Sequence, residues 1–351
     1  MSNPKNRCRF VGIDLHKESM TICVYEPIAQ EVSYRKIACR HREQIVEFFR
    51  SLPRPYMAAI ETVGFYRWLW ELLEPMVGKE YLRLADAMAV RALAGRRLKT
   101  DREDAFHVAE LLAHGRLPMA YAPPAEVQEL RDWTRRRNHL ARQHARVLHW
   151  VRAVMHLNNR PGPRRLRSTG LIRYLRAHEA ELPARHVRQL GDCVEQLALI
   201  ERQMEAAERE IQRLVGQPRF QRTAQILASF PGVGMVTIAT VLAEVGDFSR
   251  FGQAKAIARY AGLDPRVFAS GGKQRQGHIS KTGPSDLRWI LQQAAWTAIR
   301  VDPAVRGLWQ KIARRCGRKA AAVAIARKML VWMWSAVCRG RPYRPLGQKT
   351  S

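Results

Sequence analysis

Apolar residues in the first third of the chain come in short runs, each stopped by a charge or a turn. Phe10–Ile13, Thr21–Tyr25 and Glu31–Ala38 predict three consecutive strands with short connections. Arg42–Arg50 has helical spacing, Tyr56–Ile60 is again a strand, and Phe65–Leu73 is a helix entered through the breaker Gly64. A strand at Tyr81–Ala85 and helices over Met88–Ala94 and Asp101–Leu112 complete the unit. Three hairpin-linked strands followed by two α/β units predict a mixed five-stranded sheet with helices around it.

Pro118, Pro123 and Pro124 then interrupt the pattern, and the period changes. A long helix is expected over about Glu126–Asn158, with Trp133, Leu140, Val147 and Val154 at heptad spacing beside Leu148 and Met155. Arg160–Gly170 has the composition of a loop. A second long helix, about Ala184–Val215, repeats Leu190, Leu197, Met204 and Ile211 at one position and Cys193, Ile200, Ala207 and Leu214 at the other. Such a repeat suits an antiparallel pair or an intermolecular coiled coil, and equally a plain two-helix core. The last third is mainly helical and opens on Phe230-Pro231-Gly232-Val233-Gly234 before the apolar helix Met235–Val245, in the manner of a helix-hairpin-helix. The expected division is 1–122 for the sheet domain, 123–218 for the basic helical region and 219–351 for the C-terminal domain.

Charge narrows the class. Lys and Arg number 60 against 31 Asp and Glu, a formal net charge of +29, and the pI is near 10.9. A polyanion is the expected partner, nucleic acid before an anionic membrane. The most apolar stretch, Ala320–Val337, is broken by Arg327 and Lys328, so no membrane span is expected. No apolar segment follows the charged N-terminus, so no secretory signal is apparent. Six scattered cysteines without a C-x-x-C pair suit reduced thiols in a cytoplasm. The pattern includes no Walker A, H-E-x-x-H or G-x-S-x-G, leaving P-loop NTPase, zincin and serine hydrolase without support.

The acids carry the candidate chemistry. Asp14 and Glu61 each stand at the end of an apolar strand, and Asp101 and Asp104 share one face of a predicted helix. Thr100 with Glu103 three residues on forms a capping box at the start of that helix. Four carboxylates supply enough oxygen for two hard divalent cations, the requirement of two-metal phosphodiester chemistry. Candidate phosphate contacts are Arg135, Arg136, Arg137, Arg142 and Arg146 on the long helix, and Arg164 and Arg165 in the loop. Gly232 and Gly234 could expose backbone N–H groups to an anion. Ser270 and Ser280 lie in Gly- and Lys-rich loops amid Arg266, Lys273, Arg275 and Lys281. By local pattern alone a serine beside glycines is a turn.

These marks together resemble the bacterial insertion-sequence transposases that join a DEDD, RuvC-like domain to a C-terminal domain bearing a serine, the group that includes the Piv invertase. The marks are Gly-Ile-Asp14-Leu-His-Lys, Ile-Glu61, Lys-Thr-Asp101-x-x-Asp104, Pro-Gly-Val-Gly at 231–234, Ala-Gly-Leu-x-Pro at 261–265, Ser270-Gly and Gly-His-Ile-Ser-Lys-x-Gly at 277–283. The resemblance implies a ribonuclease-H-like sheet and Mg²⁺ held by Asp14, Glu61, Asp101 and Asp104, two ions per site. It further implies Ser270 as a nucleophile that forms a phosphoserine link to DNA. Implied partners are donor and target DNA, a structured guide RNA from the element and further copies of the chain, as a dimer or tetramer in the bacterial nucleoid. Ala269 replaces the first serine of the family's Ser-Ser-Gly, which leaves Ser270 as the match and Ser280 as competitor. A water-using RuvC-like nuclease and a non-catalytic basic scaffold are the alternatives.

Overall fold

The computed structural model describes residues 8–94, 100–162, 167–270 and 273–344, with 94, 267–270 and 273–276 described by their backbone alone. It divides into two compact units, Met1–Ala122 and Pro123–Ser351.

In the first unit the strands are β1 (Arg9–Leu15), β2 (Ser19–Glu26), β3 (Glu31–Ala38), β4 (Tyr56–Glu61) and β5 (Leu82–Ala85), in the spatial order β3-β2-β1-β4-β5. The hairpin-linked strands β1, β2 and β3 pair antiparallel, whereas β1–β4 and β4–β5 are parallel. Helices α1 (Arg42–Ser51) and α2 (Arg67–Val77) separate the parallel strands, and α3 (Ala87–Ala94) and α4 (Asp101–Ala113) follow β5. This is the mixed five-stranded sheet expected from the sequence. The period of two sorts its side chains. Val11, Ile13, Met20, Ile22 and Ile60 share a core with Ile45 and Phe49 of α1 and Leu69 and Leu73 of α2. On the opposite face Ala59 packs with Val108, Leu111 and Leu112 of α4, and Cys23 with Ala105 and Ala109.

The second unit opens with α5 (Ala125–Leu157), α6 (Ser168–His178) and α7 (Ala184–Val215). Ion pairs Arg213–Glu129, Arg137–Glu208 and His144–Glu201 run in opposite directions along α5 and α7, so the two long helices lie antiparallel. Helix α6 begins inside the segment read from sequence as a loop. Its first residue supplies the reason: Ser168 donates both its N–H and its hydroxyl to Glu201 of α7, so a tertiary carboxylate caps it. Helices α8 (Pro218–Ala228), α9 (Met235–Val245) and α10 (Ala254–Tyr260) lead to a hairpin of β6 (Pro265–Ser270) and β7 (Lys273–Ile279), and α11 (Ser285–Val301), α12 (Pro303–Cys316) and α13 (Arg318–Arg339) close the chain. The hairpin replaces the loops expected around Ser270. One core runs from Val127 and Leu130 of α5 and Ile211 of α7 to Leu242, Leu291 and Leu330. Helix α13 is long and apolar enough to cross a membrane by composition, but Ala322, Ile325, Ala326, Met329 and Met333 bury it in that core.

Candidate metal centre and nucleic-acid interface

Asp14 occupies the end of β1 at 8 % exposure. It lies on the same sheet face as Gly12, and the Ile13–Ile60 pairing brings Glu61, on that same face of β4, beside it at the strand ends. Gly12 sets how near α4 can come. A Cβ there would stand 2.0 Å from the Ala105 carbonyl oxygen and 2.6 Å from the Ala109 nitrogen. Only a glycine lets the helix backbone lie directly on the strand. The face of α4 turned to the sheet carries Asp101, Asp104, Ala105 and Val108, at helical spacing. Ala105 and Ala109 cover Gly12, and the acidic first turn of α4 reaches past the strand ends. Thr100 fixes that turn by accepting the Glu103 N–H at 3.2 Å, the capping box expected from the sequence.

A histidine and a lysine stand among these acids, and sequence reasoning missed both as site residues. His16 Nε2 lies 3.0 Å from Asp14 Oδ2 and 3.6 Å from Asp101 Oδ1. Lys36 Nζ donates to Asp101 Oδ2 at 3.0 Å. The signals were present. His16 follows Asp14 by two, the strand period, and the pairings Asp14–Thr21 and Thr21–Lys36 align Lys36 with Asp14 across three strands. Burial pushes the Asp14 carboxyl up, His16 pulls it back, and the like charges of Asp104 and Asp101 raise it further. The hydrogen bond from Lys36 holds Asp101 below the usual carboxylate range.

One oxygen of Asp14, one of Asp101 and a ring nitrogen of His16 all lie within 4.8 Å of one another. Two carboxylates and an imidazole converging on one point make a donor set that fits a divalent cation.

The arginines of α5 mostly face acids of their own unit. Arg135 makes a two-pronged bond to Glu244, at 2.8 and 3.0 Å, and Glu244 is 1 % exposed. Arg137 pairs with Glu208 at 2.8 Å and Arg142 with Asp286. Among the described residues Arg136 reaches only the Gln203 amide oxygen, and Arg146 is exposed. Arg164 and Arg165 lie outside the described residues, as do the side chains of Ser270, Lys273 and Arg275; by backbone, Ser270 ends β6 opposite Lys273.

The glycines of the C-terminal motifs serve close packing. Gly232, at φ +75°, abuts Ala298 N and Ala294 O of α11, where a Cβ would come within 2.7 Å of both. Its neighbour Gly234 is in open space at the N-cap of α9. Gly262 presses on the Thr282 carbonyl and Gly283 on that of Tyr260, so the Ala-Gly-Leu and Lys-Thr-Gly stretches interlock. Arg288 donates to the Ala261, Thr282 and Gly283 carbonyls and ties the crossing. Ser280 gives its hydroxyl to Asp264 at 2.6 Å, while Lys281 is exposed with φ +56°.

Residues 11–158 match a DEDD transposase domain of the IS110 type, and residues 224–310 match the Transposase IS116/IS110/IS902 family. A probable family 20 transposase of Pseudomonas aeruginosa is 31 % identical over 348 residues, covering 95 % of this chain and 98 % of the relative. The transposase for insertion sequence element IS1111A of Coxiella burnetii is 24 % identical over 96 % of this chain and 91 % of its own. A pilin gene-inverting protein of Moraxella bovis is 26 % identical over 81 % of this chain and 80 % of its own. The matched regions include the strand that carries Asp14, the helix that carries Asp101 and Asp104, and the glycine-packed turns after α8. The chain belongs to the IS116/IS110/IS902 family of transposases, which are DNA-processing enzymes.

Proposed function

We propose that this chain is a DNA transposase that cuts and rejoins strands through a phosphoserine intermediate on Ser270, supported by divalent cations at Asp14, Glu61, Asp101 and Asp104. The observation that carries the reading is the seating of α4 on Gly12, which puts two acids of that helix on the face where β1 and β4 end in acids. The strand order β3-β2-β1-β4-β5, with its antiparallel hairpins and parallel crossovers, supports a ribonuclease-H-like domain of the RuvC type. Mg²⁺ is the cation proposed, two per site; when bound it supplies positive charge that favours a deprotonated attacking hydroxyl and offsets charge on the leaving oxygen.

Each residue then has a defined task. Asp14 and Asp101 would provide oxygens to the cation, and His16 would add a nitrogen beside them. Lys36 neutralises Asp101. The Ser270 oxygen adds to phosphorus as its proton departs, the bond from phosphorus to the leaving deoxyribose oxygen breaks, and that oxygen takes up a proton. The phosphoserine ester conserves bond energy for rejoining, so no nucleoside triphosphate is consumed. A structured guide RNA and an oligomer, as a dimer or tetramer, complete the proposal. Exposed Arg136, Arg146 and Lys281 would meet phosphates without reading sequence.

The test is to incubate protein, Mg²⁺, RNA and end-labelled DNA, denature, and follow the label. Label should travel with wild-type protein and not with Ser270→Ala or Asp14→Ala, both of which should still bind nucleic acid. Free DNA ends with no protein-linked label would identify a water-using nuclease instead. An adduct kept in Ser270→Ala and lost in Ser280→Ala would move the nucleophile to Ser280.

A further inference from the structure

The C-terminal end of α13 borders a concavity. Trp332, Ser335, Ala336 and Arg339 recur at i, i+3, i+4 and i+7, so they share one face of the helix. Gly340 caps the helix in the left-handed conformation, at φ 64° and ψ 25°, and turns the chain back. The returning segment is fixed where it crosses: the Tyr343 N–H donates to Ser229 Oγ at 2.7 Å, and its ring lies 4.8 Å from that of buried Phe230. Between the helix face and this segment lies a cavity of about 360 Å³. Phe230, Trp332 and Tyr343 supply its aromatic wall, and Arg339, Arg341 and Arg344 its charge.

We propose that this cavity holds an unpaired nucleotide of a DNA strand, its base against the aromatic wall and its phosphates against the three arginines. Three features select that occupant. The volume falls in the range of small-ligand sites, too small for a stacked base pair. Aromatic faces beside guanidinium groups are the means by which proteins hold single strands without reading sequence. No acid lines the cavity, and none of the three arginines, all exposed, makes an ion pair among the described residues. Their charge is therefore available to a phosphate, unlike that of Arg135, Arg137 and Arg142. DNA is the strand chosen because the family processes DNA, and strand exchange exposes unpaired nucleotides beside the break. The proposal concerns binding only, so it stands or falls apart from the Ser270 chemistry.

The test uses the full chain in a chelator, where no cleavage occurs, with fluorescent single-stranded DNA and the same strand carrying abasic sites. Wild-type protein should bind the base-bearing strand about tenfold more tightly than the abasic one. Trp332→Leu and Tyr343→Leu should each abolish that preference and leave abasic binding unchanged. Arg339→Gln, Arg341→Gln and Arg344→Gln lie on the surface and leave packing intact. Each should flatten the slope of log affinity against log salt by about 0.7. Base-dependent quenching of tryptophan emission in the wild type gives a readout free of any folding defect in the leucine variants. Equal affinity for base-bearing and abasic strands without quenching would overturn the proposal, and so would arginine variants with an unchanged slope. A strong preference for RNA of the same sequence, lost in Tyr343→Leu, would overturn the assignment to DNA.

Discussion

Replacing Gly12 with alanine tests whether backbone contact between α4 and β1 builds the acidic site. The new Cβ would lie 2.0 Å from the Ala105 oxygen, and ordinary contact begins at 3.4 Å, so strand and helix must part by 3.4 − 2.0 = 1.4 Å along that line. Neither obstacle is a flexible side-chain tip, since both close atoms are backbone. Overpacking of this kind costs about 1–3 kcal/mol, which should lower the melting temperature of the first unit by several degrees. The catalytic effect should exceed the thermodynamic one. Asp101 opens the displaced helix and Asp104 follows in its first turn, and a misplacement of about 1 Å can cost roughly 100-fold in rate. Recombination and adduct formation should therefore fall by about that factor while nucleic-acid binding persists. Gly64→Ala is the control, with nothing within 4 Å of its Cβ, and should match wild type. If Gly12→Ala melts and recombines as the wild type does, α4 does not rest on β1 as described.

The α5 arginines should separate into two groups. Glu244→Ala strips Arg135, itself half exposed, of its buried partner and should cost about 1.5–3 kcal/mol in chemical denaturation. By contrast, Arg136→Gln and Arg146→Gln should leave stability near wild type and flatten the salt dependence of duplex binding by about 0.9 per lost contact. Glu201 should govern acid stability of the α5–α7 pair. Burial raises its carboxyl, but the bonds from Ser168 and His144 outweigh burial and leave it below the ordinary glutamate range. A depressed folded value gives stability that is complete above the unfolded glutamate value and is lost as pH falls through the folded one. Glu201→Gln should lessen that acid loss, and at neutral pH should cost about 1 kcal/mol through the weakened cap of α6. Circular dichroism melts at neutral and acid pH measure both.

Local pattern in the sequence was enough for the elements whose burial is decided by their own period. The apolar runs around Ile13, Ile22 and Ile60 could only be inner strands, and the acids that stop them had to emerge at strand ends. The heptad positions of α7 likewise foretold burial of Leu190, Leu197 and Ile211, because a helix long enough to show the repeat exposes one face to its partner. Thr100 and Glu103 announced the start of α4 through contacts three residues apart.

Contacts between distant residues were not legible in that way. The capping carboxylate of α6 comes from Glu201, 33 positions on, so the segment before it had only the composition of a loop. The hairpin of β6 and β7 depends on pairing that glycine-rich sequence hides. Charge was legible in amount but not in use: a run of arginines on α5 looks like a phosphate-binding face, and only tertiary structure turns Arg135 to Glu244 and Arg142 to Asp286. The same holds for the acidic site. The sequence determined which carboxylates are available, because each sits at the end of a local element. Tertiary structure decided that His16 and Lys36 stand among them, because strand register and the approach of α4 to Gly12 are properties of pairing and packing between segments.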